Sequence, residues 1–201
     1  MSARSRRIRN SAVVAQPTWP ARASDVTGSD RRERAPSRDL LGISGLLRWL
    51  SLSALIVVLD QITKWYAVQH LGYGERIPVV AGYFDWTMAH NTGVAFSMFA
   101  DGEAWQRWGL SGFAVIVSIG FAIALARLSR QERVSALAFA LVIGGAIGNI
   151  IDRVRLGYVI DFILWYWRDH HWPAFNIADS AIVCGAAVLI LFGWREAKRS
   201  K

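Results

Sequence analysis

Residues 134–153 read VSALAFALVIGGAIGNIIDR. Eighteen uncharged residues, Val134 to Ile151, precede the first ionisable pair, Asp152 and Arg153. The ~30 Å hydrocarbon core of a bilayer takes about 20 helical residues to cross, and a segment this long, deprived of water, must bond its backbone to itself as a helix. The stretch reads as a membrane span. Gly144 and Gly148 stand four apart within it, a small-xxx-small spacing that lets a neighbouring helix approach closely.

Three further spans follow from the same rule. Trp108 to Ala126 is another uncharged run, of nineteen residues; Trp49 to Gln69 is apolar apart from a few polar positions including Asp60 and Lys64; Ala174 to Trp194 is apolar apart from Asn176 and Asp179. The expected fold is a mainly α membrane protein with four transmembrane helices spread over residues 46–195. Residues 70–107 hold two strand-like pieces bounded by Gly72, Gly74 and Gly82: Arg76 to Val80, and Tyr83 to Met88. They predict a small extracytoplasmic β-cradle between spans one and two, lying on the membrane surface. Residues 152–173 form the second outer segment, with a strand-like piece at Tyr158 to Phe162.

Charge sets the orientation. The 201-residue chain is 53% hydrophobic with a net charge of +8, which taken alone also suits a nucleic-acid binder. The hydropathy argues against that as the main function, and no nucleic-acid partner is expected. Nine arginines fall within the first 39 residues, so residues 1–45 read as a basic, disordered cytoplasmic tail. No secretory leader is expected, because the first long apolar segment begins only after Leu40. With the N-terminus inside, seventeen basic residues lie on the cytoplasmic side, including the short C-terminal segment 196–201, against five outside. The positive-inside rule then puts both termini in the cytoplasm. Trp49, Trp65, Trp108, Trp172 and Trp194 fall near span ends, where indoles are favoured.

Polar residues in spans are costly, on the order of 2.5 to 3.5 kcal/mol for a central Asp, and often carry function. Here they agree in depth. Asp60 lies in the outward half of span one, Asn149 and Asp152 end span three, Asn176 and Asp179 open span four, and Asp161 lies in the outer loop between them. A polar pocket between helix ends, open to the outer side, is expected. Asp60 and Lys64 are four apart and can neutralise each other. Asp152 and Arg153 read as an ordinary interfacial pair. Asp161 and Asp179 have no basic residue within four positions and sit among apolar neighbours. Two such carboxylates facing each other would share one proton, the state in which one takes a proton from water while the other polarises a carbonyl. A proton relay or a structural role fits the same spacing, since eighteen residues of separation do not establish contact. No metal site is expected from His70, His90, His170 and His171, no cofactor is implied, and the lone Cys184 reads as a small packed hydrophobe.

Four motifs in register complete the reading: Asp60-Gln61-Ile62-Thr63-Lys64; Asn91-Thr92-Gly93-Val94-Ala95-Phe96-Ser97; Gly148-Asn149-Ile150-Ile151-Asp152-Arg153 with Gly157 to Phe162; and Phe175-Asn176-Ile177-Ala178-Asp179-Ser180. Together they resemble the lipoprotein signal peptidases (signal peptidase II) over residues 46–195. The resemblance implies an aspartic endopeptidase of the bacterial inner membrane that removes signal peptides from prolipoproteins, cutting just before a diacylglyceryl-modified Cys. It implies Asp161 and Asp179 as the catalytic pair. Asp60, Lys64, Asn91, Gly93, Asn149, Asp152, Arg153 and Asn176 would bind substrate or support the pair. It also implies contact with membrane lipids and inhibition by globomycin-type cyclic peptides. The N-terminal tail is longer than that family needs. A rival from another class, a small membrane transporter or proton-relay protein, would use the same Asp and Lys residues but would usually show inverted repeats or broken midplane helices. Neither is visible.

Overall fold

The uncharged runs do form helices. The computed structural model describes residues 39–93 and 104–199, without the side chains of 104 and 193–199. The basic tail up to residue 38, the Val94 to Ser97 end of one motif, the Trp194 side chain and Lys201 therefore lie outside the described residues. Four long helices appear: α1 (Gly42–His70), α2 (Ala104–Ala126), α3 (Arg133–Leu156) and α4 (Ile177–Arg199). At 1.5 Å per residue the 24 residues of α3 extend about 36 Å. Among the described residues, three helices, α1, α2 and α3, are long and apolar enough to cross a membrane, while α4 contributes a shorter apolar stretch, Ile177–Phe192.

The opening stretch is the centre of the bundle. α3 packs against each of the other three helices, and over half of its apolar window is buried (56%) against 11% for α1 and α2. Small side chains make this approach workable, because between apolar helices close backbone contact replaces the hydrophobic effect as the source of affinity. A Cβ on Gly144 would stand 2.8 Å from the Ser53 carbonyl of α1, and one on Gly185 of α4 would stand 2.8 Å from the Ala138 carbonyl of α3. Gly145 lies directly against the Ala178 carbonyl. Ser53 Oγ donates to the Ala140 carbonyl at 2.8 Å, a buried link between α1 and α3. Cys184, expected to pack, is instead exposed on α4.

α3 runs on to Leu156 and stops at Gly157, whose φ of 90° is open to glycine and whose N–H bonds the Arg153 carbonyl. Asp152 and Arg153 are therefore helical, near the end of the span as expected, and the helix continues past them to Leu156. The sheet also departs from expectation. β1 (Arg76–Val80) and β2 (Phe84–Asn91) arise between α1 and α2, but β3 (Val159–Trp167) and β4 (His170–His171) arise between α3 and α4. One antiparallel sheet joins them in the order β1-β2-β3-β4. It is thus not confined to the segment between the first two spans. Met88 and Phe162 of this sheet pack with Ala67 and Leu71 at the end of α1, and Ile177 at the start of α4 joins them. That seating places β3 over the junction of α1, α3 and α4.

Candidate active site

Pairing of β2 with β3 sets Ala89 opposite Asp161 and Asn91 opposite Val159. Asp161 is buried, 1% exposed. Its Oδ2 accepts from Asn91 Nδ2 at 3.0 Å and its Oδ1 from Asn176 Nδ2 at 2.7 Å. Asn91 is held in turn, since its Oδ1 accepts the Gly93 N–H at 3.1 Å, leaving the amide group to face Asp161. The Gly93 carbonyl accepts from Arg153 Nη2 at 3.2 Å, which ties the end of this motif to α3.

Asp179 comes from the first turn of α4. Asn176 immediately precedes that helix, and the two residues bond reciprocally. Asn176 Oδ1 accepts the Asp179 N–H at 2.9 Å, and Asp179 Oδ2 accepts the Asn176 N–H at 3.3 Å. This is a capping box, which satisfies a helix-end N–H that has no intrahelical acceptor. Asn149 Nδ2 of α3 donates to Asp179 Oδ1 at 2.7 Å. Fully buried Asn176 thus holds Asp179 through its backbone N–H and side-chain oxygen, and Asp161 through its side-chain amide. One asparagine bridges the two carboxylates that sequence left eighteen residues apart.

The acidity of Asp161 reflects this setting. Burial pushes its pKa up, to about 7, and the charge of Asp179 adds to the rise, while the hydrogen bonds from Asn91 and Asn176 and the charge of Lys64 oppose it. A carboxyl titrating near neutrality can hold a proton and release it at physiological pH.

The other two aspartates have a different partner. Lys64, 2% exposed, reaches Asp60 Oδ2 and Asp152 Oδ2, each at 2.8 Å, and donates to Asn149 Oδ1 at 3.1 Å. An ammonium has three donors, and all three are placed. The Asp60–Lys64 pair is as expected, but Asp152 does not pair with Arg153. It turns inward to Lys64, because a carboxylate buried to 3% exposure needs a desolvated cation at close range. Its Oδ2 also accepts the Ile160 N–H at 3.2 Å, at the start of β3. Asp60 Oδ1 accepts the Ala178 N–H at 2.9 Å, a second helix-end donor of α4. Gly148 makes room for this: a Cβ there would stand 2.7 Å from Asp60 Oδ2.

All ten candidate residues fall in one connected region. Gln61 joins them unannounced, donating from Nε2 to Asp152 Oδ1 at 2.9 Å and to the Gly148 carbonyl at 3.3 Å; its position beside Asp60 is the only hint in the sequence. Arg153 stands within electrostatic reach of Asp179, Asp161 and Asp152, and its buried Nε has no hydrogen-bond partner among the described residues. The histidines are elsewhere: His90 stacks on Tyr158 with ring centroids 3.9 Å apart, and His170 and His171 are exposed on β4. Between Asp60 and Asp152, where two carboxylates converge, the Lys64 ammonium is the cation.

Comparison with known proteins bears on this region directly. Residues 52–195 match the profile of the family described as Signal peptidase (SPase) II. The lipoprotein signal peptidase of Pseudomonas putida is 51% identical over 158 residues, covering 78% of this chain and 92% of that protein. That of Acinetobacter baumannii is 50% identical over 145 residues, covering 72% and 82%. Two solved structures of a bacterial membrane enzyme share the fold, with TM-scores of 0.71 and 0.65 at 24% identity; the first covers 82% of this chain and 96% of its own. The match runs from within α1 to within α4 and takes in every residue of the polar region, so the chain belongs to the signal peptidase II family.

Proposed function

We propose that this chain is an aspartic endopeptidase that removes signal peptides from diacylglyceryl-modified prolipoproteins, cutting before the lipidated Cys. The observation that carries the reading is the Asn176 bridge: it holds Asp161 and Asp179 as a pair with their carboxylates fixed by three asparagines. With one proton on the pair, the ionised carboxylate takes a proton from water and the protonated partner hydrogen-bonds the scissile carbonyl. The hydroxide adds to that carbonyl carbon and the oxygen gains the partner's proton; the tetrahedral intermediate then expels the amine with a proton returned from the first Asp, while the second Asp takes back a hydroxyl proton as the carboxylic acid forms, restoring the one-proton pair. No cofactor or metal enters this scheme.

Under the same proposal, all four helices span the bacterial inner membrane, with both termini cytoplasmic and the aspartates near the periplasmic leaflet. The sheet then rests on the outer surface as a cradle, and a lipidated substrate reaches the site by sideways diffusion in the bilayer. Membrane lipids and globomycin-type cyclic peptides are the other partners this assigns. Lys64, Asp60 and Asp152 support the pair by fixing Asn149 and the start of α4, while Arg153 and Gly93 shape the edge facing substrate.

The test is cleavage of a diacylglyceryl-modified precursor by the purified protein, beside the same precursor unmodified. Release of the signal peptide from the modified form only is expected. Equal cleavage of both forms would contradict the substrate assignment, and no cleavage of either would contradict the activity.

A further inference from the structure

A second polar feature sits at the far end of the bundle. A cavity of about 460 Å³ opens between the start of α1 and the connection from α2 to α3. Its apolar part is Leu41, Trp49 and Leu52, and its cationic part is Arg48, Arg130 and Arg133. Among the described residues, no carboxylate lines it. Arg48 precedes Asp60 by twelve residues on α1, about 18 Å along the axis, so the cavity is remote from the aspartates.

The charge there is poorly compensated. Arg130 faces Asp39 at 3.5 Å, but both side chains are well exposed, at 63% and 77%, where such pairs contribute little. Among the described residues, Arg48 and Arg133 form no salt bridge. Neighbouring Glu132 turns its Oε2 to the Ser129 N–H at 2.7 Å. α1 also begins at this point with no side-chain cap and no acidic residue in its first turn, so its positive end adds to the same field. Three guanidiniums around one small cavity repel each other until an anion enters.

We propose that this cavity binds a phosphate group, specifically the phosphodiester of an anionic phospholipid. Guanidinium forks match phosphate oxygens in a bidentate geometry. The apolar wall of Leu41, Trp49 and Leu52 is suited to the glycerol and acyl stem below a headgroup, a part that inorganic phosphate lacks. Basic pockets between helix ends at a membrane boundary bind such headgroups by this chemistry. The inference is independent of the peptidase reading, since none of the lining residues belongs to the aspartate region.

Native mass spectrometry of the full chain, released from micelles holding equal amounts of phosphatidylglycerol and phosphatidylcholine, tests it. Preferential retention of phosphatidylglycerol is expected. Arg48→Gln combined with Arg133→Gln should lower that retention by about fivefold per arginine, whereas Arg127→Gln, an exposed charge outside the lining, should leave it unchanged. Precursor cleavage in detergent by the double variant should match the wild type and so report that the fold survives. Equal retention of the two lipids by the wild-type chain overturns the proposal, a result that needs no variant to fold. Equal loss from Arg127→Gln and the double variant overturns it as well, reducing the effect to net charge. Displacement of phosphatidylglycerol by inorganic phosphate would assign the site to a free anion and overturn the lipid claim.

Discussion

Four aspartates meet at one end of this bundle, and they divide into two pairs. Asp60 and Asp152 share the ammonium of Lys64, each at 2.8 Å. Among the described residues, Asp161 and Asp179 have no lysine or arginine in a salt bridge, and they are held by the amides of Asn91, Asn149 and Asn176. The ammonium balances the charge of the carboxylates it holds, whereas neutral amides fix position without supplying a countercharge. Residue type is shared, and Asp60, Asp152 and Asp161 are all buried while Asp179 is partly so; under the proposed function it is the partner that separates a brace from a reagent. Asn149 connects the two, accepting from Lys64 through Oδ1 and donating to Asp179 through Nδ2.

The largest effects should separate those pairs. Asp161→Asn and Asp179→Asn are each expected to abolish precursor cleavage, a loss beyond a thousandfold, while the protein accumulates and inserts normally, as read by immunoblot of membrane fractions. For Asp161 the stability sign agrees. Its folded pKa of about 7 exceeds the ordinary 3.8, so the folded state binds the extra proton between those values and loses stability as pH rises through them. Asp161→Asn removes that loss, and its thermal midpoint at pH 8 should not fall below the wild type's.

Lys64→Met should fail in the opposite manner, through folding rather than chemistry. It leaves Asp60 and Asp152 buried without their cation, a change that costs about 3 to 5 kcal/mol; a collapse in detergent-stable yield is expected, and normal yield would contradict the brace. Gly148→Ala pushes a methyl against Asp60 Oδ2, and overpacking of this kind costs about 1 to 3 kcal/mol. A lowered thermal midpoint is expected there.

The smallest effect is the most diagnostic of the amide side. The Asn91 hydrogen bond holds the Asp161 pKa down, so Asn91→Ala should raise it. In the wild type the alkaline limb of the cleavage profile is expected near pH 7, and in Asn91→Ala it should move to higher pH. A limb that stays put, or moves down, would detach the profile from Asp161.

Much of this was legible in the chain. The uncharged runs mark α2 and α3 because a helix with no water-facing side needs no polar stripe, and Arg76 to Val80 coincides with β1. Asp161 and Asp179 stood out by lacking a basic residue within four positions. What stayed hidden depends on distant partners. Lys64 meets Asp152 across 88 residues, so the neighbouring Arg153 offered a false local mate. The joining of residues 84–91 to 159–167 in one sheet likewise follows from seating both segments over the end of α1, which no local pattern encodes.

One measurement bears most directly on the division between the pairs: single-turnover cleavage of a diacylglyceryl-modified precursor by equal amounts of folded Asp161→Asn, Asp179→Asn and Asp152→Asn proteins. No product from the first two, with measurable cleavage by the folded fraction of the third, is the expected result. Cleavage by Asp161→Asn alongside a stably folded, inactive Asp152→Asn would contradict it and reassign the reacting pair to Asp152 and Asp179.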